Sequence, residues 1–201
     1  MLLHLIETKK SLAIVVGLIM KKIYCFLMLV VISSSFSQEV ETKSEKFKSY
    51  HSISGLLSHT IIQDGIRDGK TEWIAFPSFA FDYNFVFSPK WRIGLHNDVI
   101  FEDFIVETTN SEGEKKELER SEPFATVLVG GFKPGKHFTF EAGMGYEFSK
   151  DEHLFLTRIG TEYSLELPND WELIVNLVYD MKWNAYDSFA FGVGISKSFG
   201  K

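Results

Sequence analysis

Ten ionisable residues recur on one parity of strand-like runs: Asp82, Arg92, His96, Asp98, Glu102, Glu141, Arg158, Glu162, Asp180 and Lys182. Carboxylates, two guanidinium groups, an ammonium and an imidazole in one enclosure have two uses. They can pair and fill space, or they can line a narrow path for an ion or a proton. Nucleophilic chemistry has one weak candidate, the adjacent Ser58 and His59. A nucleophile needs its base within hydrogen-bonding reach, and polar residues at a strand end explain this pair more simply. No HExxH or other zinc-ligand spacing occurs. "QDGIRDGK" (63–70) contains two Asp-Gly pairs. They could approach calcium, but Asp-Gly turn chemistry accounts for them. No catalytic residue, metal site or cofactor is expected.

The chain has 201 residues and a formal charge of −6, enough for one domain plus a leader. Lys9, Lys10, Lys21, Lys22 and Glu7 give residues 1–37 a charge of +3, so the remainder carries −9. That balance argues against nucleic-acid binding, which needs basic patches. The single cysteine, Cys25, lies in the apolar N-terminal stretch. The rest therefore has neither a disulfide framework nor cysteine metal ligands.

"MKKIYCFLMLVVISSSFSQ" begins at Met20. Lys21 and Lys22 form a basic start, Ile23 to Ile32 an apolar run, and Ser33 to Ser37 a small-residue exit, the parts of a secretory signal. The expected division is an upstream extension over 1–19, a signal peptide over 20–37, a periplasmic lead-in over 38–49 and a barrel over 50–201. A membrane anchor across 11–32 would place Lys21 and Lys22 in mid-membrane, at a large cost.

After the leader the periodicity is two. "HFTFEAGMGYEF" puts Phe138, Phe140, Ala142, Met144, Tyr146 and Phe148 on one face and His137, Thr139, Glu141, Gly143, Gly145 and Glu147 on the other. Eight such runs lie at about 51–62, 73–87, 91–106, 123–132, 137–148, 154–167, 171–183 and 188–199. "SPK", "KPGK" and "PND" make tight turns between the second and third, fourth and fifth, and sixth and seventh runs. Long hydrophilic connections are expected at 63–72 and 108–122. Short turns at one end and longer loops at the other are the asymmetry of transmembrane barrels.

Tryptophans decide which face is outside. The seventh run carries Trp171, Leu173, Val175, Leu177, Tyr179, Met181 and Trp183 on one face, closed by a tryptophan at each end. Trp73 and Trp91 open the second and third runs, also on apolar faces. Strand-end tryptophans suit membrane interfaces. The apolar faces therefore meet lipid, with Ile53, Leu57, Ile61, Phe124, Leu128 and Phe132 outward, and the ten ionisable residues lie within. If Leu167 pairs with Trp171, Arg158 faces Asp180 and Glu162 faces Asn176. If Phe87 pairs with Trp91, Asp82 faces His96. Such pairs hold a ladder modestly, and a plug is favoured over an ion path because an eight-stranded interior fits only side chains.

Residues 50–199 resemble the small eight-stranded outer-membrane β-barrels of Gram-negative bacteria, the OmpA-type transmembrane domain and OmpX-like proteins. "GVGISKSF" looks like their C-terminal barrel-assembly signal, with Gly194 and Phe199 at the expected spacing and Lys197 and Gly200–Lys201 as departures. The resemblance implies an all-β, antiparallel up-and-down transmembrane barrel in the cell outer membrane. Its partners would be outer-membrane lipid, lipopolysaccharide and the barrel-assembly machinery, and it would be a monomer. Some barrels of this size modify lipid A. Here no histidine is followed by x-Ser, and "QEVETKSEKFKSY" lacks the apolar face of an amphipathic helix. The expected role is non-enzymatic: a plugged barrel with a structural or surface-interaction task. The alternatives are a lipid A-modifying enzyme, a narrow ion pore, or a soluble lipocalin-like carrier with inverted faces.

Overall fold

The computed structural model describes residues 47–109, 115–150 and 152–201. The expected signal peptide, the segment before it and nearly all of the lead-in lie outside these residues. Among the described residues there are ten strands: β1 (Tyr50–Arg67), β2 (Lys70–Ser88), β3 (Trp91–Ile100), β4 (Phe104–Thr109), β5 (Lys115–Arg120), β6 (Phe124–Phe132), β7 (Phe138–Phe148), β8 (Leu154–Leu167), β9 (Trp171–Lys182) and β10 (Asp187–Phe199). Eight of them close an antiparallel barrel in the order β1-β2-β3-β6-β7-β8-β9-β10, with β10 returning to β1. β4 and β5 form a separate hairpin attached to β1.

The ladder fixes the barrel's dimensions. Starting at Ser52, successive partners are Asn84, Gly94, Val129, Gly143, Arg158, Asp180 and Ser188, and the next step returns to β1 at Ile62. The return point is ten residues from the start, so the shear is ten. With strand spacing of about 4.8 Å and a rise of about 3.3 Å per residue, the tilt is roughly 40° and the backbone radius roughly 8 Å. The outward row of β9 then rises about 30 Å, matching the apolar band and its aromatic girdles.

Alternation sorts the side chains as a membrane requires. Leu57, Phe81, Leu95, Leu128, Met144, Ile159, Leu177 and Phe191 face outward and are exposed, while Asp82, His96, Glu141, Arg158, Glu162 and Asp180 are buried. A protein in water does the reverse, so the barrel is a transmembrane one. Ile53, Leu57, Phe124 and Leu128 are exposed as expected, and Ile61 and Phe132 are half-buried on the same rows. Inward positions are not all polar. Leu56, Ala80 and Ile174 form one buried cluster, and Ala125, Val127, Val129 and Leu156 another.

Three expectations are corrected at the loop end. The connection at 63–72 is mostly strand: β1 and β2 stay paired to Arg67–Lys70, beyond the last β1–β10 pair, Ile62–Ser188. Asp68 and Gly69 form the tip with φ of 52° and 72°, the left-handed conformations a two-residue hairpin turn needs. The other Asp-Gly pair is a bulge between Ile62 and Gly65. The third run ends at Ile100, and a bend at 101–103 separates it from β4. Much of the expected second loop is the β4–β5 hairpin. Pro77 lies one residue beyond the last β2–β3 pair, Ser78–Ile100, where no β3 partner asks it for a donor.

Candidate functional site: three tiers of lumenal charge

Sequence placed ten residues in the interior, and the structure arranges nine of them there in tiers. Nearest the tight turns, Arg92 on β3 reaches Glu162 at 3.0 Å and Glu141 at 2.5 Å. Its stem needs room on the neighbouring strand. A Cβ on Gly131 would lie 2.7 Å from Arg92 Cγ, so glycine there is the berth of this arginine.

In the middle tier, Arg158 Nε and Nη2 donate to the two oxygens of Asp180, both at 2.7 Å. Asp98 Oδ2 lies 2.7 Å from the same guanidinium. This fork geometry is the stronger kind of ion pair. Arg158 and Asp180 face each other in the ladder, and so do Glu162 with Asn176 and Asp82 with His96. These are the expected registers. The β2–β3 register holds only as far as Val86–Arg92, because Phe87 is bulged out and Ser88 pairs with Trp91 instead. Asp82 is the odd acid of the tier. It is buried, its Oδ1 has no hydrogen-bond partner, and His96 Nδ1 is 3.9 Å away. The other ring nitrogen of His96 bonds Asn84 Oδ1 at 3.1 Å.

The outer tier was missed. Lys182 was foreseen; Arg120, Glu147 and Tyr186 were not. Arg120 Nε and Nη2 donate to Glu147 Oε1 at 3.1 and 2.6 Å, and Tyr186 donates to the same oxygen at 2.7 Å. Lys182 Nζ lies 3.5 Å from Glu147 Oε2 and bonds the Ser188 hydroxyl. Burial, and then the Glu147 carboxylate, push the Tyr186 phenol well above its ordinary range. Glu147 sits on the polar face of the alternating "HFTFEAGMGYEF" run, so its place was readable. Arg120 lies in a segment read as loop, and nothing local marks it.

Over this tier the outer end is stoppered by an apolar cluster of Ile62, Ile74, Ile100, Phe104, Val106, Leu118, Leu154 and Tyr186. Thr108 Oγ1 donates to the Asn184 carbonyl at 2.9 Å, and Arg120 Nη1 to the Glu152 carbonyl at 2.7 Å. These bonds tie the β4–β5 hairpin to the β9–β10 turn and to the segment before β8. Glu102, the tenth expected interior residue, is exposed in the 101–103 bend. Strand parity would place it inside only if the third run continued unbroken to 106, and β3 ends at Ile100.

Small spaces are present in the lumen among the described residues. One of about 30 Å³ opens at the tight-turn end between Tyr50, Arg92 and Lys133. One of about 20 Å³ lies beside Arg158, Asp98, Glu147 and Lys182. Each has room for a water or two. Ser58 and His59 are successive residues of β1, so they project to opposite faces. They do not form a nucleophile–base pair.

The interface residues lie at strand ends on the outer surface. Trp73, Trp91, Trp171 and Trp183 are 66, 51, 38 and 53% exposed. Trp183 Nε1 donates to Thr157 Oγ1 at 3.0 Å, and Trp91 packs on Phe132 with centroids 4.8 Å apart. Phe199 is outward and stacks on His51 at 5.5 Å. Gly194 lies against β1 so closely that a Cβ would meet the Gly55 carbonyl oxygen at 2.1 Å.

No family model and no curated protein matches the sequence. Solved structures with some likeness include Ail, the attachment invasion locus protein of Yersinia pestis, at 13% identity over 76% of this chain and 100% of that one, TM-score 0.47. The outer membrane protein OprG of Pseudomonas aeruginosa is 11% identical over 77% and 98%, TM-score 0.48. Neisserial surface protein A is 9% identical over 74% and 97%, TM-score 0.49. On its own strand pairing and apolar exterior, the chain has the fold of the small eight-stranded outer-membrane β-barrels.

Proposed function

We propose that this protein is a non-conducting, non-enzymatic barrel of the outer membrane, which holds a small ordered sheet beyond the lipid surface for contact with other molecules. The supporting observation is the set of buried ion pairs across the lumen. Arg92, Arg158 and Arg120 each bridge strands through buried carboxylates, and an apolar stopper covers the outer mouth. Such tiers make the wall rigid, and a rigid wall suits a pedestal. The pedestal carries the β1–β2 projection, about 16 Å of strand by its five extra residues, and the β4–β5 hairpin. On this reading the short turns are periplasmic and the projecting sheet faces outward.

The test is planar-bilayer recording of the purified barrel with matched vesicle-leakage assays. The expected result is no steady conductance. A steady conductance that disappears in Arg158→Ala or Asp180→Ala would instead support the narrow ion pore. Comparison of lipid A from cells with and without the gene tests the enzyme reading, and unchanged acylation is expected.

A further inference from the structure

The outer wall is not uniformly covered. On the row Ile53, Gly55, Leu57 of β1, the middle position has no side chain. Gly55 pairs with Ile195 on one side and Phe81 on the other. The result is an apolar groove of about 470 Å³, walled by Phe79, Phe81, Ile195 and Phe199. Its tight-turn end is closed by Trp171 and Lys197.

Lys197 is the unusual member. It stands on the outward row between Ile195 and Phe199, where a cation is costly in mid-membrane but tolerated near the interface. Its ammonium bonds the Asn169 carbonyl and lies 5.4 Å from the centre of the Trp171 ring. An ammonium has three donors, and the carbonyl takes one. At the same end, Lys201 Nζ lies 3.6 Å from Asp170, and Lys48 donates to the Lys201 carbonyl. The groove therefore offers an apolar trench about 10 Å deep into the hydrocarbon, from four residues of tilted strand, with a positive charge at its headgroup end.

We propose that this groove is a binding site for an anionic glycerophospholipid of the periplasmic leaflet. One acyl chain lies over Gly55, and the phosphate pairs with Lys197. The proposal rests on the membrane orientation given above. Its test includes a control that separates the two.

The experiment is native mass spectrometry of the detergent-purified barrel, mixed with phosphatidylglycerol or phosphatidylcholine of identical chains. Wild type should retain phosphatidylglycerol about fivefold better, the ratio one lysine near an anionic surface supports. Lys197→Leu should bring that ratio to about one, while Lys197→Arg keeps it. Gly55→Leu should reduce retention of both lipids. The backbone there accepts a Cβ, which would meet the Phe79 ring at an ordinary 3.7 Å, and heat-modifiable gel mobility checks that the variant is folded. Equal retention of the two lipids by wild type, an undiminished ratio in Lys197→Leu, or full retention by Gly55→Leu overturns the site. Carbonate extraction of membranes is the control. Release of the protein there defeats the membrane embedding on which the site rests, whereas a firmly embedded barrel without lipid preference defeats only the groove.

Discussion

Arg158→Gln removes the guanidinium that pairs directly with both Asp180 and Asp98 while keeping most of the side-chain volume. Both oxygens of Asp180 accept from Arg158 at 2.7 Å, and Asp98 lies at the same distance. Removing one partner of a buried ion pair costs about 3–5 kcal/mol, because the other charge stays uncompensated. Here two carboxylates are left, which pushes toward the upper end. The adjoining space of about 20 Å³ admits water, which pulls the other way, so a loss of about 4 kcal/mol is expected. The companion variants separate lost pairing from lost shape. Arg158→Gln with Asp180→Asn should recover part of the loss. Adding Asp98→Asn should bring stability to within about 1–2 kcal/mol of wild type, since replacing a whole buried network is often close to neutral. The assay is urea unfolding in lipid vesicles, followed by the fluorescence of the four tryptophans. A loss under about 1 kcal/mol for the single variant, or no recovery in the triple one, would refute the view of the lumen as a set of mutually compensating charges.

Two further predictions concern the outer cap. The Tyr186 phenol is held protonated above its ordinary value of 10.0 by burial and then by Glu147. A group whose proton is bound more tightly in the folded state stabilises that state fully below its unfolded value and loses the effect as pH rises past it. Ultraviolet titration should therefore show a late-ionising component that appears as the cap opens, and Tyr186→Phe should remove it. On the projecting part of β1, partial burial, then Asp187 and Glu107, raise the carboxyl of Asp64 above its ordinary 3.8. The same sign rule makes the ionised form a liability at neutral pH. Asp64→Asn should then slow amide exchange across the β1–β2 tip at pH 7, and faster exchange would contradict this.

The readable parts of the fold share one property: each was under constraint from lipid or from a tight turn. "PND" placed Leu167 against Trp171, and from there the Arg158–Asp180 pair followed by alternation alone. "SPK" was nearly as informative, though the bulge at Phe87 shifted the turn without disturbing Asp82–His96. Outside the bilayer that constraint ends. The β1–β2 tip and the β4–β5 hairpin have water on much of their surface, so polar residues such as Lys115, Lys116 and Glu117 carry no apolar alternation and read as loop. The outer tier was hidden for a second reason. Arg120 and Glu147 are 27 residues apart and Tyr186 is 39 further on, and only the folded-back hairpin brings them together. Glu102 shows the converse error, in which parity was extended past a bend that the sequence does not announce.

The central claim is that the apolar rows are the lipid-facing exterior and the charged rows the closed interior. The only cysteine is Cys25, in the expected signal, so single cysteines introduced along β9 can be spin-labelled in a background free of other thiols. Accessibility to oxygen and to a water-soluble nickel complex should be measured at 173 to 180 in lipid vesicles. Oxygen maxima are expected at 173, 175, 177 and 179, with low access to both reagents at 174, 176, 178 and 180, and nickel access at none. Strong nickel access at the odd positions, or a single smooth profile without alternation, would contradict it.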